Sequence, residues 1–470
     1  MLGALTPDPS WLNPGDTAWQ LTSATLVGIM SIPGLAILYA GLMKRKWAVN
    51  SALMVVYAFA MTLVVWMFFA YDMCFGHPVN LGPGALSTMV GVPHMVAGAT
   101  DLTQQASIPL LSGLIPDLRF PMSSLVYFQF VFAAITVIIL GGALLGRISF
   151  RAWALFVPLW ITLVYSVGAF SLWGGGWLSA MGAVDYSGGY VIHVAAAASG
   201  FVAAMVVGPR LLKDRNASPS NIMLAVAGGG LLWLGWSGFN GGDPYFANAD
   251  ASAAVLNTHL CTATALLVWM LMDVFFAKRA SIIGMINGMI AGLVAITPAA
   301  GYVNGYSAFI IGIVAGVLPW LSMNKLGKTR LFTRVDDTLG VFHTHGVAGA
   351  SGGLLTGVLA SPNMIVYIGT GSTASVSVTG LVYGNAHQLF VQALALAFII
   401  GYDVVATFIV IKLVSFVVPL RMTEEQLETG DRVVHGEVAI DMQPHEPIPV
   451  DGNGHGSGRP LVPAGAGEAI

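Results

Sequence analysis

The sequence predicts an all-α integral membrane protein with eleven transmembrane helices. Of its 470 residues, 56% are hydrophobic and only 9% are charged, whereas a soluble domain carries roughly 25% charged residues. A soluble protein so poor in charge would expose large apolar patches. Its apolar segments reach the roughly 20 residues that a helix needs to cross a bilayer. The basic residues also fall in alternate loops, as expected for a chain that crosses a membrane repeatedly.

Windows of about 19 residues locate the individual spans. They lie near 18–43, 50–76, 124–146, 152–171, 185–208, 222–240, 253–276, 282–299, 306–322, 338–360 and 385–417.

Lys and Arg follow each odd-numbered span. Of the 19 basic residues, only Arg119 lies in a loop assigned to the other side. The positive-inside rule therefore predicts an external N-terminus, eleven spans and a cytoplasmic C-terminus. Residues 1–19 lack Lys and Arg, so the first apolar segment is predicted to be an uncleaved span and not a signal peptide.

The predicted domain organisation is simple. Residues 1–417 form one membrane domain with a long external loop at 77–123, and residues 418–470 form a cytoplasmic tail. The acidic start of the tail favours a solvated helix, whereas its Pro- and Gly-rich part after about residue 444 is predicted to be disordered.

Two histidines are placed alike along the chain. Asp185 precedes His193 by eight residues, and Asp337 precedes His345 by eight, with small residues after each histidine. The fifth span runs inward and the tenth outward, so the pair indicates an inverted-topology repeat with a site at the repeat interface. Eight residues correspond to roughly 12 Å of helix, which puts both rings near the midplane. The alternative is two buried histidines that bond backbone carbonyls.

Six sequence motifs extend this pattern over most of the chain. They are VYFQFVFAAIT, LWGGGWL, GAVDYSGGYVIHVAAAASGF, GWSGFNGGD (235–243), DDTLGVFHTHGVAGASGGLLTG (336–357) and LRMTEEQLETGDRVVHGE (420–437). From about residue 18 to 440 the chain resembles ammonium transporters of the Amt/Mep/Rh family, in the Amt/Mep branch. The resemblance implies eleven helices with pseudo-twofold symmetry between spans 1–5 and 6–10, and a homotrimer with one pore per subunit.

The resemblance also implies an external recruitment site and a gate. Trp173 and Phe132 would hold the incoming cation on their aromatic faces. Phe128 shares a helix face with Phe132, and Phe132 with Phe239 would form the hydrophobic gate. Alternatively, Trp173 is an interfacial tryptophan and the phenylalanines are core residues.

His193 and His345 resemble the family's twin pore histidines, which contact the substrate beyond the gate. Each neutral imidazole has one donor and one acceptor nitrogen, so the rings can share a proton. Asp185 is interpreted as an anchor that accepts backbone hydrogen bonds at a helix start, with direct ligation as the alternative. His343 is interpreted as a structural neighbour.

Asp243 departs from the family pattern, because much of the bacterial branch has a serine at this position. Trp236, Phe239 and Asp243 have i, i+3, i+7 spacing and can share one helix face. A carboxylate there could recruit cations at the mouth, or it could be a helix-terminal cap. Both interpretations stay open at the level of sequence.

Other function classes are excluded or kept as alternatives. The pore-forming segments contain no His-Glu-x-x-His or Gly-x-Ser-x-Gly motif, and the only cysteines are Cys74 and Cys261, so neither an enzyme, a metal site nor a cofactor is expected. The expected partners are ammonium or ammonia, the lipid of a plasma (inner) membrane, two further copies of the chain and a cytoplasmic PII-type nitrogen-regulatory protein at the tail. No nucleic-acid partner is expected. An ammonium sensor and an Rh-type neutral ammonia channel are the alternative functions.

Overall fold

The computed structural model describes residues 9–215, 218–367 and 375–439. The disorder predicted after about residue 444 lies outside these ranges. In chain order, the long helices are α1 (Pro14–Leu42), α2 (Arg45–Phe75), α3 (Met122–Gly142), α4 (Phe150–Ala180), α5 (Gly189–Val207), α6 (Ile222–Gly241), α7 (Ala249–Ala277), α8 (Ile282–Ile296), α9 (Gly305–Lys328), α10 (Phe342–Val347 continued by Ala348–Leu359) and α11 (Ala386–Val417).

Nine helices within the described residues are long and apolar enough to cross a membrane. The two exceptions are α8, which is apolar but has only 15 residues, and α10. Over the residues that the structure describes, the chain is thus an all-helical, multi-pass membrane protein, apart from one antiparallel ribbon formed by β1 (Ile365–Tyr367) and β2 (Val376–Ser377). The count of eleven spans stays a prediction.

Helix α3 lies at the centre of the bundle. Its most apolar window is 94% buried, against 33% for the corresponding windows of α2, α7 and α11. The peripheral helices expose large apolar side chains such as Phe68, Leu256 and Phe416, which is stable only in lipid. Side chains on α3, including Phe128 and Phe132, are therefore positioned to form the middle of any pathway through the protein.

The starts of α5 and α10 differ from the sequence prediction. Each helix begins about four residues later than predicted, with a π-helical turn, Gly189–Val194 in α5 and Phe342–Val347 in α10. The preceding aspartates lie outside the helices and cap them. The histidines are consequently in the first turns, and the prediction that each lies eight residues inside its helix was wrong.

Helices α5 and α10 pack in opposite directions. A Cβ atom added to Gly349, four residues after His345, would lie 2.6 Å from the carbonyl oxygen of Gly189, four residues before His193. Only glycine permits this approach at position 349, because a side chain would collide with backbone. The two π-helical turns are thereby brought side by side.

The 77–123 loop and the start of the tail are both packed on the bundle. The loop contains short helical turns, including Ala99–Thr103, and buries Ile108 and Phe120. In the tail, α12 (Glu424–Thr429) and α13 (Asp431–Val434) follow a capping box between Thr423 and Gln426. The N–H of Met422 donates to the carbonyl of Arg147 over 2.9 Å, so the tail is tied to the loop between α3 and α4.

Candidate functional site

A column of aromatic rings leads from one end of the bundle toward its centre. The centroid of Trp173 is 6.0 Å from that of Phe132, which is 4.6 Å from that of Phe239. Phe128 flanks the column, 4.8 Å from Phe132. Both Phe132 and Phe239 are fully buried, whereas Trp173 is partly exposed. Helices α3, α4 and α6 thus contribute apolar rings to one continuous column.

The column continues into the two histidines. The centroid of His193 lies 5.9 Å from that of Phe239 and 5.3 Å from that of His345. Their Nδ1 atoms are 3.2 Å apart, so the contact predicted between the two rings is present. Trp236 stacks against His193 with centroids 5.4 Å apart and is itself held by a bond from its Nε1 to the Thr297 hydroxyl. The Nε2 of His193 is buried without a partner among the described residues.

Two aspartates fix the backbone that carries the histidines. The carboxylate of Asp185 accepts hydrogen bonds from the N–H groups of four successive residues, Gly188 to Val191. Asp337 accepts from the N–H groups of Val341 and Phe342. These are the N–H groups that a helix start leaves without partners. Asp185 therefore has the geometry of an anchor, and Asp337 is its counterpart on α10.

Trp173 is oriented by the same segment. Its indole Nε1 donates to the carbonyl oxygen of Asp185 over 2.7 Å. A single stretch of chain thus sets both the start of α5 and the plane of the outermost ring.

The carboxylate of Asp243 does not face open solvent. Helix α6 ends at Gly241, and Asp243 is only 7% exposed. Its Oδ2 contacts the hydroxyl of Ser187, which also lies 2.7 Å from the carbonyl oxygen of Phe239. The helix face that was predicted to carry Asp243 together with Trp236 and Phe239 ends before it, because Pro244 follows and cannot continue the helix.

Ser187 is a site residue that sequence reasoning missed. It lies within the Asp185–His193 spacing, but a lone serine in a Gly-rich stretch gives no signal of its own. Only the fold, which brings the end of α6 against the start of α5, reveals its contact with Asp243.

His343 lies outside the histidine pair. Its Nδ1 contacts the Ser322 hydroxyl over 2.7 Å, in line with the predicted structural role. On the far side of the pair from Trp173, a cavity of about 40 Å³ is lined by His345, Thr344, Asn287 and apolar side chains. It has room for a molecule the size of water.

A polar network surrounds the loop before α10. Arg147 is fully buried and donates to the hydroxyl of Thr338 and to the carbonyl of Asp336. Arg210 binds the carboxylate of Asp336 with its Nε and one terminal nitrogen. Burial would raise the pKa of Asp336, but the bonds and charges of the two arginines outweigh it and lower that pKa to about 2.

The tail caps helix α2 at the same end of the molecule. The carboxylate of Asp431 accepts hydrogen bonds from the N–H groups of Val49 and Asn50, over 2.8 and 3.0 Å. Burial raises the pKa of Asp431 to about 6. Lys46 donates to the carbonyl of Leu427 over 2.6 Å. The tail segment therefore rests on the helix bundle through specific bonds.

Within the described ranges, no group of three or more His, Cys, Asp or Glu side chains could hold a metal ion.

Comparison with known proteins accords with this arrangement. A model described as the Ammonium Transporter Family matches residues 18–440. Ammonium transporter 3 member 2 of Oryza sativa subsp. japonica is 49% identical over 444 residues, which cover 91% of this chain and 90% of that protein. Ammonium transporter 2 of Arabidopsis thaliana is 49% identical over 447 residues, which cover 93% and 91%.

Two solved structures have a similar fold. Saccharomyces cerevisiae Mep2 superposes with a TM-score of 0.74 at 29% identity, covering 90% of this chain and 93% of that one. A protein described as a sensor Amt protein superposes with a TM-score of 0.76 at 25% identity, covering 90% and 98%.

Proposed function

The chain belongs to the ammonium transporter family, whose members are transport proteins and not enzymes, and we propose that it conducts ammonium across the plasma membrane through the aromatic and histidine column. The observation that supports this most is the continuity of that column: each ring from Trp173 to His345 lies within 6.0 Å of the next.

Recruitment takes place at the partly exposed end of the column. A cation held over Trp173 and Phe132, with Phe128 alongside, gains about 2 kcal/mol when it is desolvated. Asp243 adds negative charge beside this site when it is ionised. Ammonium must shed water to go further, and aromatic faces replace part of its hydration.

The gate is the ring pair Phe132 and Phe239. At 4.6 Å between centroids, these rings leave no space for a hydrated ion, so they must rotate for each passage. Beyond them the substrate reaches His193, whose Nε2 lacks a partner among the described residues and can bond it. His345 then receives the substrate or its proton across the Nδ1 contact.

The membrane arrangement follows from the distribution of basic residues. We propose eleven spans in residues 1–417, with an external N-terminus and an external 77–123 loop, and an inverted repeat of spans 1–5 and 6–10. The opposite directions of α5 and α10 support the repeat. The tail, 418–470, is then cytoplasmic, and its docked part offers a surface to a PII-type regulatory protein. Three chains form a homotrimer with one pore in each.

A sensor function is the second candidate. The tail is docked beside the loop before α10, so occupancy of the pore could be passed to a cytoplasmic partner through Arg147 and Asp336. A solved structure of similar fold is described as a sensor Amt protein, at an identity of 25% with this chain.

Reconstituted protein in liposomes separates these functions. An ammonium pulse should produce a saturable current that disappears in His193→Ala. Ammonia entry without current would support the neutral gas channel of the Rh type. Saturable binding of ammonium without flux would support the sensor and would overturn the proposal of conduction.

A further inference from the structure

The hydroxyl of Ser187 lies between two acceptors. It is 2.7 Å from the carbonyl oxygen of Phe239 and in contact with Oδ2 of Asp243. A serine hydroxyl has a single hydrogen to donate. Its own hydrogen can satisfy only one of these two contacts.

The carbonyl of Phe239 needs that hydrogen. It lies in the last turn of α6, where helix carbonyls lack partners from their own helix. The neighbouring carbonyls accept from other groups: Gly238 from the N–H of Gly242, and Gly241 from Nε1 of Trp19. If Ser187 donates to Phe239, the hydrogen between Ser187 and Asp243 must belong to Asp243. The carboxyl group is then an uncharged acid.

The surroundings of Asp243 favour the same state. It is only 7% exposed, and none of the ion pairs among the described residues involves it. An ionised carboxylate buried without a cation is costly. The titratable groups close enough to interact with it are Asp185, Tyr165, Tyr186, Tyr245, Tyr302 and Tyr367, none of them a cation.

The acid is also placed next to the incoming substrate. Ser187 lies two residues after Asp185, and the carbonyl of Asp185 orients Trp173. The Ser187 hydroxyl also bonds the backbone carbonyl of Phe239, a residue of the proposed gate. A cation held at Trp173 and Phe132 would be the positively charged partner that an ionised Asp243 does not find among the described groups around it.

We propose that Asp243 is a proton-exchanging residue, so that ammonium and protons compete for one carboxyl group at the mouth. While the mouth is empty, the group is a carboxylic acid that donates to Ser187. When ammonium binds, the O–H bond of Asp243 breaks, its proton leaves to the external water, and the carboxylate pairs with the ammonium ion. After the substrate passes the gate, the carboxylate takes a proton back from the same water, so the cycle adds no net proton to transport.

This inference rests on the proposed function and sharpens the role of Asp243 within it. Uptake should be measured over a range of external pH, at fixed internal pH and membrane potential. In the wild type, the ammonium concentration for half-maximal uptake should rise as pH falls, by up to about tenfold per pH unit where Asp243 takes up its proton. Asp243→Asn should give a higher but nearly pH-independent value.

Two further variants make the test specific. Asp250→Asn is the matched control: Asp250 is also buried, but its hydrogen bond comes from the Tyr186 hydroxyl over 2.7 Å and not from Ser187, so the pH dependence that arises at Asp243 should persist in this variant. Ser187→Ala removes the acceptor of the Asp243 proton and should move the pH dependence to lower pH. Uptake at saturating ammonium and protein yield identify any variant that fails to fold.

Infrared difference spectroscopy on the wild type gives an independent measurement. Addition of ammonium should remove a carboxylic-acid band that is absent from Asp243→Asn. Saturable uptake whose pH dependence is the same in the wild type and in Asp243→Asn, or an unchanged carboxylic-acid band, would overturn this inference while leaving conduction intact. Absence of any ammonium-dependent flux would instead contradict the proposed function.

Discussion

Nδ1 of His193 and Nδ1 of His345 lie 3.2 Å apart, and a single hydrogen between them makes one ring the donor and the other the acceptor. The two rings therefore hold complementary tautomers. Because the Nε2 atoms then differ as well, one with a hydrogen and the other without, the pair has a direction along the ring column. That direction reverses when the shared hydrogen moves to the other ring, the Nε2 of that ring gives up its hydrogen, and the Nε2 of the first ring takes one up.

Removal of one ring should stop conduction. His345→Ala leaves Nδ1 of His193 buried without its partner, which lowers the free energy of unfolding by about 1–3 kcal/mol. The substitution also breaks the proton-sharing contact between the two rings. We expect uptake of ammonium or methylammonium to fall at least about tenfold. His343→Asn is the control. It replaces a histidine only two residues from His345, but its amide can keep the hydrogen bond to Ser322. Equal loss in both variants would indicate that the segment is merely unstable.

The docked tail should loosen when its capping carboxylate is removed. Asp431→Ala leaves the N–H groups of Val49 and Asn50 without their acceptor, which costs about 1–2 kcal/mol for a helix start. Trypsin should then cleave at Arg432 several-fold faster, and uptake or its regulation should change with it. Glu425→Gln removes an exposed charge of the preceding tail helix, α12, and should behave as the wild type. If both variants are cleaved at the wild-type rate, Asp431 does not hold the tail.

Deletion of the whole tail tests whether its docking affects transport. Deletion of residues 418–470 removes the bonds to Arg147, Val49 and Asn50 together. Flux or its response to a cytoplasmic regulator should change in uptake assays. Unchanged flux and unchanged regulation would contradict the proposed coupling.

The sequence predicted the class of the protein and the identity of most rings in the column, because membrane spans and spaced histidines leave strong patterns. It predicted the starts of α5 and α10 poorly. Hydropathy does not distinguish a capping aspartate from the first residue of a helix, so the predicted span begins at Asp185, four residues before the helix itself. Contacts such as Ser187 with Asp243, or Arg147 with Asp336, join residues 56 and 189 positions apart. No local pattern encodes them.

The predicted homotrimer can be tested by measuring the mass of the protein in detergent. The outward faces of α6 and α7 expose apolar side chains such as Leu234, Leu256 and Leu267, which either lipid or another copy must cover. Light scattering in mild detergent, corrected for bound detergent, should give three copies of the 49.2 kDa chain. A monomer or a dimer under conditions that preserve uptake would contradict the trimer.

The ion pair between Arg210 and Asp336 should make the protein sensitive to acid. The pKa of Asp336 is lowered from 3.8 to about 2, so its ionised form contributes stability that is fully present above about pH 4 and is lost as pH falls toward 2. The shift corresponds to about 2 kcal/mol. Asp337 is the next residue and caps α10 only eight residues before His345. Loss of the pair should therefore loosen the histidine segment as well.

Thermal unfolding in detergent tests this acid sensitivity. Between pH 5 and pH 3, the melting temperature of the wild type should drop more than that of Asp336→Asn, which lacks the ion pair at both pH values. The melting temperature of Asp117→Asn, which changes an exposed position in the 77–123 loop, should drop as much as that of the wild type. Equal drops in all three proteins would show that the acid sensitivity arises elsewhere.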